Sequence, residues 1–405
     1  MTLRFLDLFA GIGGFHEAVL EHNSKSECIA AVEIDKFAAE VYEKTFNIEP
    51  LGDITDPKVI RELDDIIVKK KLDFLLAGFP CQAFSKAGNQ EGFQDQTRGT
   101  LFYSIKEILK KHKPKYFLLE NVRNLLGHKS KDNIKTFKII EDTLDKLDYA
   151  FEYSILSPHR LKNKKIPQMR ERIFIYGILD KKKNESNIKT IKKDIETNFV
   201  RQSEVEMKNK KEIKKYLHKT KDIIIPQERL EALEIWEELN KSIEGPLMSP
   251  IWLDVIFNKK LQTSELEWKQ KLINKNLDFY EKNKIEINKW YEKHNGLKQF
   301  PASFRKLEWN AKTSIESVFD GIIQFRPSGI RIKKPDYFPT FVAINQTPII
   351  GWERRYITPE EIKKLFGFKK IKLGESASES YKQLGNTVSV DVVKVILDNL
   401  LEQGV

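Results

Sequence analysis

Two side chains in this sequence could form and break covalent bonds. Cys81 lies in the segment Gly-Phe-Pro-Cys-Gln, directly after the apolar run of residues 73–77. A cysteine in such a glycine-containing polar segment is accessible, and its thiolate is a strong nucleophile. Glu120 ends another apolar run, where burial would help its carboxyl group to keep a proton. The two residues could therefore act as nucleophile and general acid.

Both interpretations have simpler alternatives. A cysteine on a packed strand is usually an inert small hydrophobic residue, and this is the interpretation for Cys28, within the apolar run 28–32. Cys81 differs because Pro80 and polar residues surround it. Glu120 could instead pair with Arg123 or with a helix terminus and have no chemical role.

A glycine cluster and nearby acidic residues indicate a nucleoside-like ligand. Residues 9–14 read Phe-Ala-Gly-Ile-Gly-Gly, where glycines allow close approach of a ligand to the backbone and a following helix offers free N–H donors. The dinucleotide fingerprint requires glycine at position 16, which is His16, so a nicotinamide dehydrogenase is disfavoured. The acids of residues 33–35 are placed to bind ribose, and Asp53 to hold an adenine edge. Alternatively, Asp35 caps a helix and Asp53 shapes a turn.

The elements that must position these residues alternate along the first 180 residues. Strands are predicted at residues 3–8, 28–33, 74–78, 116–120, 153–156 and 172–176, and helices at 36–46, 58–70, 101–111 and 136–147. Alternation of strands with helices of this length is typical of βαβ units around a parallel sheet. Ligands of such sheets bind beyond the carboxyl ends of the strands, where the chemical residues lie. A last helix is predicted at residues 388–401, in a tail that returns to the first domain.

Composition favours a polyanionic partner inside the cell. The formal net charge is +11, and Lys and Arg outnumber Asp and Glu by 14 to 7 in residues 181–222. A second basic segment covers residues 326–334. Two cysteines cannot build a disulfide framework or a zinc site of their own, so no metal is expected. Without a signal peptide or a long apolar segment, a cytoplasmic protein that does not contact a membrane is expected.

Five motifs, in this order along the chain, resemble those of the DNA (cytosine-5) methyltransferase family of the bacterial restriction-modification type. They are residues 9–14, Gly-Phe-Pro-Cys-Gln at 78–82, Glu-Asn-Val at 120–122, Gln-Met-Arg-Glu-Arg at 168–172 and Gly-Asn-Thr-Val at 385–388. The resemblance implies an α/β fold: an S-adenosylmethionine-dependent methyltransferase domain, Rossmann-like with a mostly parallel sheet, and a smaller variable target-recognition domain. The expected ranges are 1–180 with 376–405 for the catalytic domain, and 181–375 for the target-recognition domain and connecting hinge.

The resemblance also implies a reaction and its catalytic residues. The target would be a cytosine flipped out of double-stranded DNA. The Cys81 thiolate would add to C6 of this base while Glu120 acts as the acid at N3. This makes C5 nucleophilic enough to accept a methyl group from S-adenosylmethionine. Arg172 would lie at the target base, with Arg170 supporting it.

The remaining expected site residues bind the cofactor, as the resemblance implies, or bind DNA. The cofactor residues are Phe9, Gly11, Ile12, Gly13, Gly14, Glu33, Ile34, Asp53, Ile54, Pro80, Leu101, Asn386 and Val388. The expected DNA-binding residues are Gln82, Ser85, Arg98, Arg326 and Arg331, and the last two lie in the variable segment, where the resemblance assigns no residues. The two arginines of the second basic segment are expected on a shaped loop that reads bases, although they could equally bind phosphates or brace the fold.

Two rival functions and several partners remain open from the sequence. A tRNA-methylating relative would share the catalytic residues, and a catalytically silent relative would only bind DNA. A monomer on DNA is expected, with a cognate restriction endonuclease that acts separately. The sequence does not assign a function to residues 181–222 or identify the bases around the target cytosine.

Overall fold

The structure is a computed structural model of the chain. It describes residues 2–80, 99–128, 135–205, 210–218, 220, 224–245, 247–344 and 346–402. The chain forms two compact units. Unit 1 comprises Met1–Glu206 with Ile362–Val405, and unit 2 comprises Met207–Glu361.

Unit 1 contains the alternating strands and helices that the sequence predicts. The strands are β1 (Arg4–Leu8), β2 (Glu27–Val32), β3 (Phe74–Ala77), β4 (Tyr116–Val122), β5 (Tyr149–Leu156) and β6 (Arg172–Leu179). The helices are α1 (Gly14–His22), α2 (Lys36–Phe46), α3 (Pro57–Lys70), α4 (Gly99–His112), α5 (Thr136–Asp145) and α6 (Lys181–Thr197). Strands β1, β3 and β4 are almost fully buried because helices cover both faces of a parallel sheet.

The sheet of unit 1 has the order β2-β1-β3-β4-β6-β5. Its first four strands are parallel, as the alternation with helices predicts. Strand β6 runs antiparallel between β4 and β5, and this brings the start of β6 to the carboxyl end of β4. In this register Val122 pairs with Arg172, and Arg172 with Leu156.

The compact units differ from the ranges expected for the domains. Unit 1 extends to residue 206 rather than 180 because α6 packs on β5. The residues of α6 that anchor it are Ile188, Ile191 and Ile195, all buried. The second boundary lies at residue 361 rather than 375.

Unit 2 has its own sheet and hydrophobic core. Its helices are α7 (Lys210–Lys214), α8 (Gln227–Ser242), α9 (Leu253–Phe257), α10 (Glu267–Lys282) and α11 (Lys284–Lys293). Its strands are β7 (Ile251–Trp252), β8 (Lys306–Asn310), β9 (Ile322–Arg326), β10 (Gly329–Lys333), β11 (Ile349–Ile350) and β12 (Arg355–Tyr356), in the order β12-β11-β9-β10-β8-β7. The core includes Trp236 and Trp290, whose ring centroids lie 5.2 Å apart.

Three helices complete the chain. They are α12 (Pro359–Leu365), α13 (Ala377–Asn386) and α14 (Val390–Glu402). Helix α14 buries its apolar face and packs on α1, so the end of the chain is part of unit 1. Within the described ranges, no helix is both long and apolar enough to span a bilayer.

Candidate active site

The glycine cluster forms a turn between β1 and α1. Phe9, Gly11 and Gly13 all have positive φ angles, of 54°, 53° and 89°. A Cβ atom added to Gly13 would lie 2.3 Å from the ring of Phe46, so packing excludes a side chain there. Apart from Gly11 and its two chain neighbours, no residue would come within 4 Å of a Cβ atom added to Gly11, so Gly11 leaves open space beside the turn. Gly13 is therefore required for packing against Phe46, whereas Gly11 leaves room for a ligand.

Glu33 ties this turn to the end of β2. Its carboxylate accepts hydrogen bonds from the backbone N–H groups of Gly11, at 2.7 Å, and Asp35, at 2.8 Å. Burial raises the pKa of Glu33, and these two donors offset part of that rise. Asp35 caps α2 by accepting from Ala38 N, which confirms its alternative interpretation. Asp53 likewise shapes a turn, because its carboxylate accepts from both the backbone and the hydroxyl group of Thr55.

These residues line a cleft of about 570 Å³ at the carboxyl ends of the parallel strands. The expected cofactor residues that line it are Phe9, Gly11, Glu33, Ile34, Asp53, Ile54, Pro80, Leu101 and Asn386. The expected residues that do not line it are Ile12, Gly13, Gly14 and Val388. Val388 packs behind the turn, since a Cβ atom on Gly14 would lie 2.7 Å from its Cγ2 atom.

Glu120 and Arg172 meet in the same cleft. Arg172 Nε lies 3.0 Å from Glu120 Oε1, and both side chains are mostly buried. Burial raises the pKa of Glu120, and the guanidinium groups of Arg172 and Arg170 offset only part of that rise. The alternative pairing with Arg123 is wrong, because Arg123 lies 2.7 Å from Glu171 Oε2. Glu120 is therefore a carboxyl group able to hold a proton inside a ligand-sized cleft.

The segment that leads to Cys81 lies against this carboxyl group. A Cβ atom added to Gly78 would lie 3.9 Å from Glu120 Oε2, and Asn121 Nδ2 donates to Phe79 O at 3.2 Å. The predicted residues Cys81, Gln82, Ser85 and Arg98 lie outside the described residues. Burial raises the pKa of Cys28 to about 12, in line with its interpretation as an inert residue.

Arg170 connects the site to the end of the chain. Its side chain is buried, donates to Gly385 O at 3.1 Å and to Thr387 O at 2.6 Å, and stacks on the ring of Phe366. These bonds hold the segment that contains Asn386 at the cleft. Arg170 therefore positions a wall of the cleft.

Some residues of the cleft were not predicted. Lys382 lines it and donates to Asp35 Oδ2 at 2.8 Å, and Thr55 lines it beside Asp53. Lys382 lies four residues before Asn386 in the same helix, so both side chains are on one face. This spacing could have indicated that Lys382 lines the cleft.

In unit 2, the two expected DNA-binding arginines lie on strands rather than on a loop. Arg326 ends β9 and forms an ion pair with Glu308, and Arg331 lies on β10 with Gln324 and Glu308 as its cross-strand neighbours. A two-residue turn of Pro327 and Ser328 joins these antiparallel strands, so they form a β-hairpin. Alternation along the strands places both arginines on the polar face and Phe325 and Ile330 in the core.

Comparison with known proteins gives a consistent result. The sequence matches the family described as C-5 cytosine-specific DNA methylase over residues 3–402. The Type II methyltransferase M.AluI of Cellulosimicrobium cellulans is 33% identical over 97% of this chain and 91% of its own. The Type II methyltransferase M.BanI of Aneurinibacillus aneurinilyticus is 32% identical over 100% of this chain and 97% of its own. The fold is also similar to that of the S. pombe Dnmt2 methyltransferase, with a TM-score of 0.53, 19% identity, and coverage of 99% of this chain and 98% of that one.

Proposed function

Because the chain belongs to the C-5 cytosine-specific DNA methylase family, we propose that it methylates DNA by a covalent route through Cys81 and Glu120. The protein is a DNA cytosine-5 methyltransferase, as the sequence predicts, and relatives that cover almost the whole chain are Type II methyltransferases. The observation that carries the proposed route is the buried Glu120 carboxyl group, paired with Arg172 beside the segment that precedes Cys81.

In the proposed route, each side chain has one task at the flipped cytosine. The Cys81 thiolate forms a bond to C6 while Glu120 delivers a proton to N3, so that C5 acquires enamine character. Arg172 holds the Glu120 carboxylate and the base in position. After methylation, loss of the C5 proton re-forms the C5–C6 double bond and expels the Cys81 thiolate, and the N3 proton returns to Glu120.

S-adenosylmethionine is the proposed cofactor, and the cleft fits it. The open space at Gly11 admits a ligand against the backbone, and the Glu33 carboxylate retains acceptor capacity for ribose hydroxyl groups. Ile34, with 69% of its surface exposed, offers an apolar contact for adenine. The bound cofactor supplies an electrophilic methyl group.

Base recognition is proposed for the polar face of the hairpin β9–β10. A sheet presents side chains rigidly, and arginine pairs with guanine through two hydrogen bonds. Arg331 is the stronger candidate because Glu308 already pairs with Arg326. A cognate restriction endonuclease that acts separately, and a monomeric state on DNA, remain proposals by analogy with Type II systems.

The test of the covalent route is adduct formation with duplex DNA that contains 5-fluorocytosine, since fluorine at C5 cannot leave as a proton does. We expect wild type and the matched control Cys28→Ala to form an adduct that survives denaturation in the presence of S-adenosylmethionine. Cys81→Ser should form none and should lose turnover by several orders of magnitude. An adduct with Cys81→Ser, or methylation of tRNA but not of duplex DNA, would contradict the proposal.

A further inference from the structure

A second cleft of unit 1 carries positive charge that the methylation chemistry does not use. It has a volume of about 660 Å³ and lies between the second half of β5 and α6. Its six cationic residues are Arg160, Lys162, Lys189, Lys192, Lys193 and Arg201, and its two acidic residues are Glu196 and Glu204. We call this cleft the basic groove.

Helix α6 supplies half of these cations through its amphipathic pattern. Its buried isoleucines pack on β5 and fix the orientation of the helix. Lys192 and Lys193 lie three and four residues after Lys189, so the three lysines share one face of the helix along the groove. The Lys-rich start of residues 181–222 is therefore an ordered helix that presents a row of lysines.

Most of the acidic groups near the groove already have partners. Glu196 accepts a hydrogen bond from the Ser154 hydroxyl group at 2.9 Å, and Glu152 pairs with Lys192 at 2.9 Å. Among the residues that the structure describes, Lys162 and Lys193 form no ion pair, and both are exposed. The groove thus retains cations that are available to an anionic ligand.

The basic groove lies at the same end of the sheet as the candidate active site. Leu156 lines the groove and pairs in register with Arg172, which pairs in turn with Val122 at the end of β4. Adjacent strands are about 4.8 Å apart, so Val122 and Leu156, which line the two clefts, are separated by roughly 10 Å across the sheet. Duplex DNA carries about one charge per 1.7 Å of its axis, so a bound duplex has many phosphates within this distance.

We propose that the basic groove binds the phosphodiester backbone of duplex DNA outside the methylated position. The inference rests on the proposed function, because it takes DNA bound at the catalytic cleft as its starting point. Lysine side chains are flexible point charges that suit phosphates and do not discriminate between bases. The groove therefore contributes affinity that is independent of sequence and sensitive to salt.

The test compares two double variants with the same change in charge. Lys162→Gln/Lys193→Gln removes the two unpaired cations of the groove, and Lys182→Gln/Lys183→Gln removes two exposed lysines of α6 that do not line it. Affinity for a duplex of roughly 30 base pairs and arbitrary sequence is measured across a salt series. We expect the groove variant to bind about tenfold more weakly and to reduce the slope of log K against log salt by about 2. The control should keep most of the wild-type slope.

Two results would overturn the inference. One is an equal slope for the groove variant and its control. The other is tight binding of inorganic triphosphate by wild type, lost in the groove variant without any change in DNA affinity, which would mean a site for a small anion. S-adenosylmethionine affinity and Cys81 adduct formation are measured in parallel. If wild type forms no adduct, the covalent route is contradicted, but the comparison of salt slopes still tests whether the groove binds DNA.

Discussion

At the scale of single residues, Glu120 is the group whose environment is most clearly suited to chemistry. Its pKa is raised because it is buried, so the protonated form persists at a higher pH than in water. Activity that needs this proton is present below the raised pKa and is lost as the pH rises through it. We expect kcat/KM to show this alkaline decline in wild type.

Glu120→Gln keeps the shape of the side chain but has no transferable proton. Methylation should slow by roughly 10²–10⁴-fold, and the alkaline decline assigned to Glu120 should disappear from the profile. Affinity for S-adenosylmethionine, measured by calorimetry, should stay close to wild type. The acid role is wrong if the variant retains either full activity or the same decline.

The two glycines of the turn allow a matched comparison at the same scale. Alanine costs roughly 1–2 kcal/mol of strain at a left-handed position, and this applies to both Gly11 and Gly13. Gly13→Ala also drives Cβ into the ring of Phe46, whereas Gly11→Ala fills open space. Gly13→Ala should therefore lower the melting temperature more, and Gly11→Ala should lose more cofactor affinity in the protein that remains folded. The reverse order in both measurements would show that Gly11 does not face the cofactor.

At the scale of elements, Arg170 joins strand β6 to the segment between α13 and α14. Arg170→Met removes hydrogen bonds to two buried carbonyl groups, each worth roughly 1.5–3 kcal/mol for a charged donor. We expect a lower free energy of unfolding and weaker S-adenosylmethionine binding, because Asn386 is no longer held at the cleft.

Arg123→Met is the control for this prediction. Arg123 directly follows β4, and its side chain is largely exposed in the ion pair with Glu171, so both measurements should change little. Calorimetry that gives the same cofactor affinity for folded Arg170→Met and wild type would rule out the positioning role.

At the scale of the whole molecule, the second unit carries the proposed base recognition. Arg331→Ala should lose roughly 1–3 kcal/mol of binding free energy on the cognate duplex and relax preference at one base pair. Arg326→Ala should have a smaller effect, because Glu308 already binds that guanidinium group. Affinities for the cognate duplex and for single-base variants of it test both. A uniform loss on every duplex, with a shallower salt slope, would make Arg331 a phosphate contact.

The sequence by itself determined the chemistry and most of the first sheet. All six strands predicted in the first 180 residues are present with altered ends, because buried strands and amphipathic helices have distinct local periods. Glu120 could be singled out from its own segment, since a carboxyl group that ends an apolar strand is recognisable without knowing its neighbours. The motifs likewise predicted the family and the reaction.

Only the tertiary structure decided which distant groups meet. The antiparallel insertion of β6 beside β4 brings Arg172 to Glu120, and periodicity does not reveal the direction in which a strand pairs. Arg170 contacts Gly385, 215 residues later, through backbone carbonyl groups that every residue possesses. The lysines of α6 line a groove only because the helix packs on β5. Such contacts depend on long-range packing and hydrogen bonding, whereas the sequence pattern reports only local preferences.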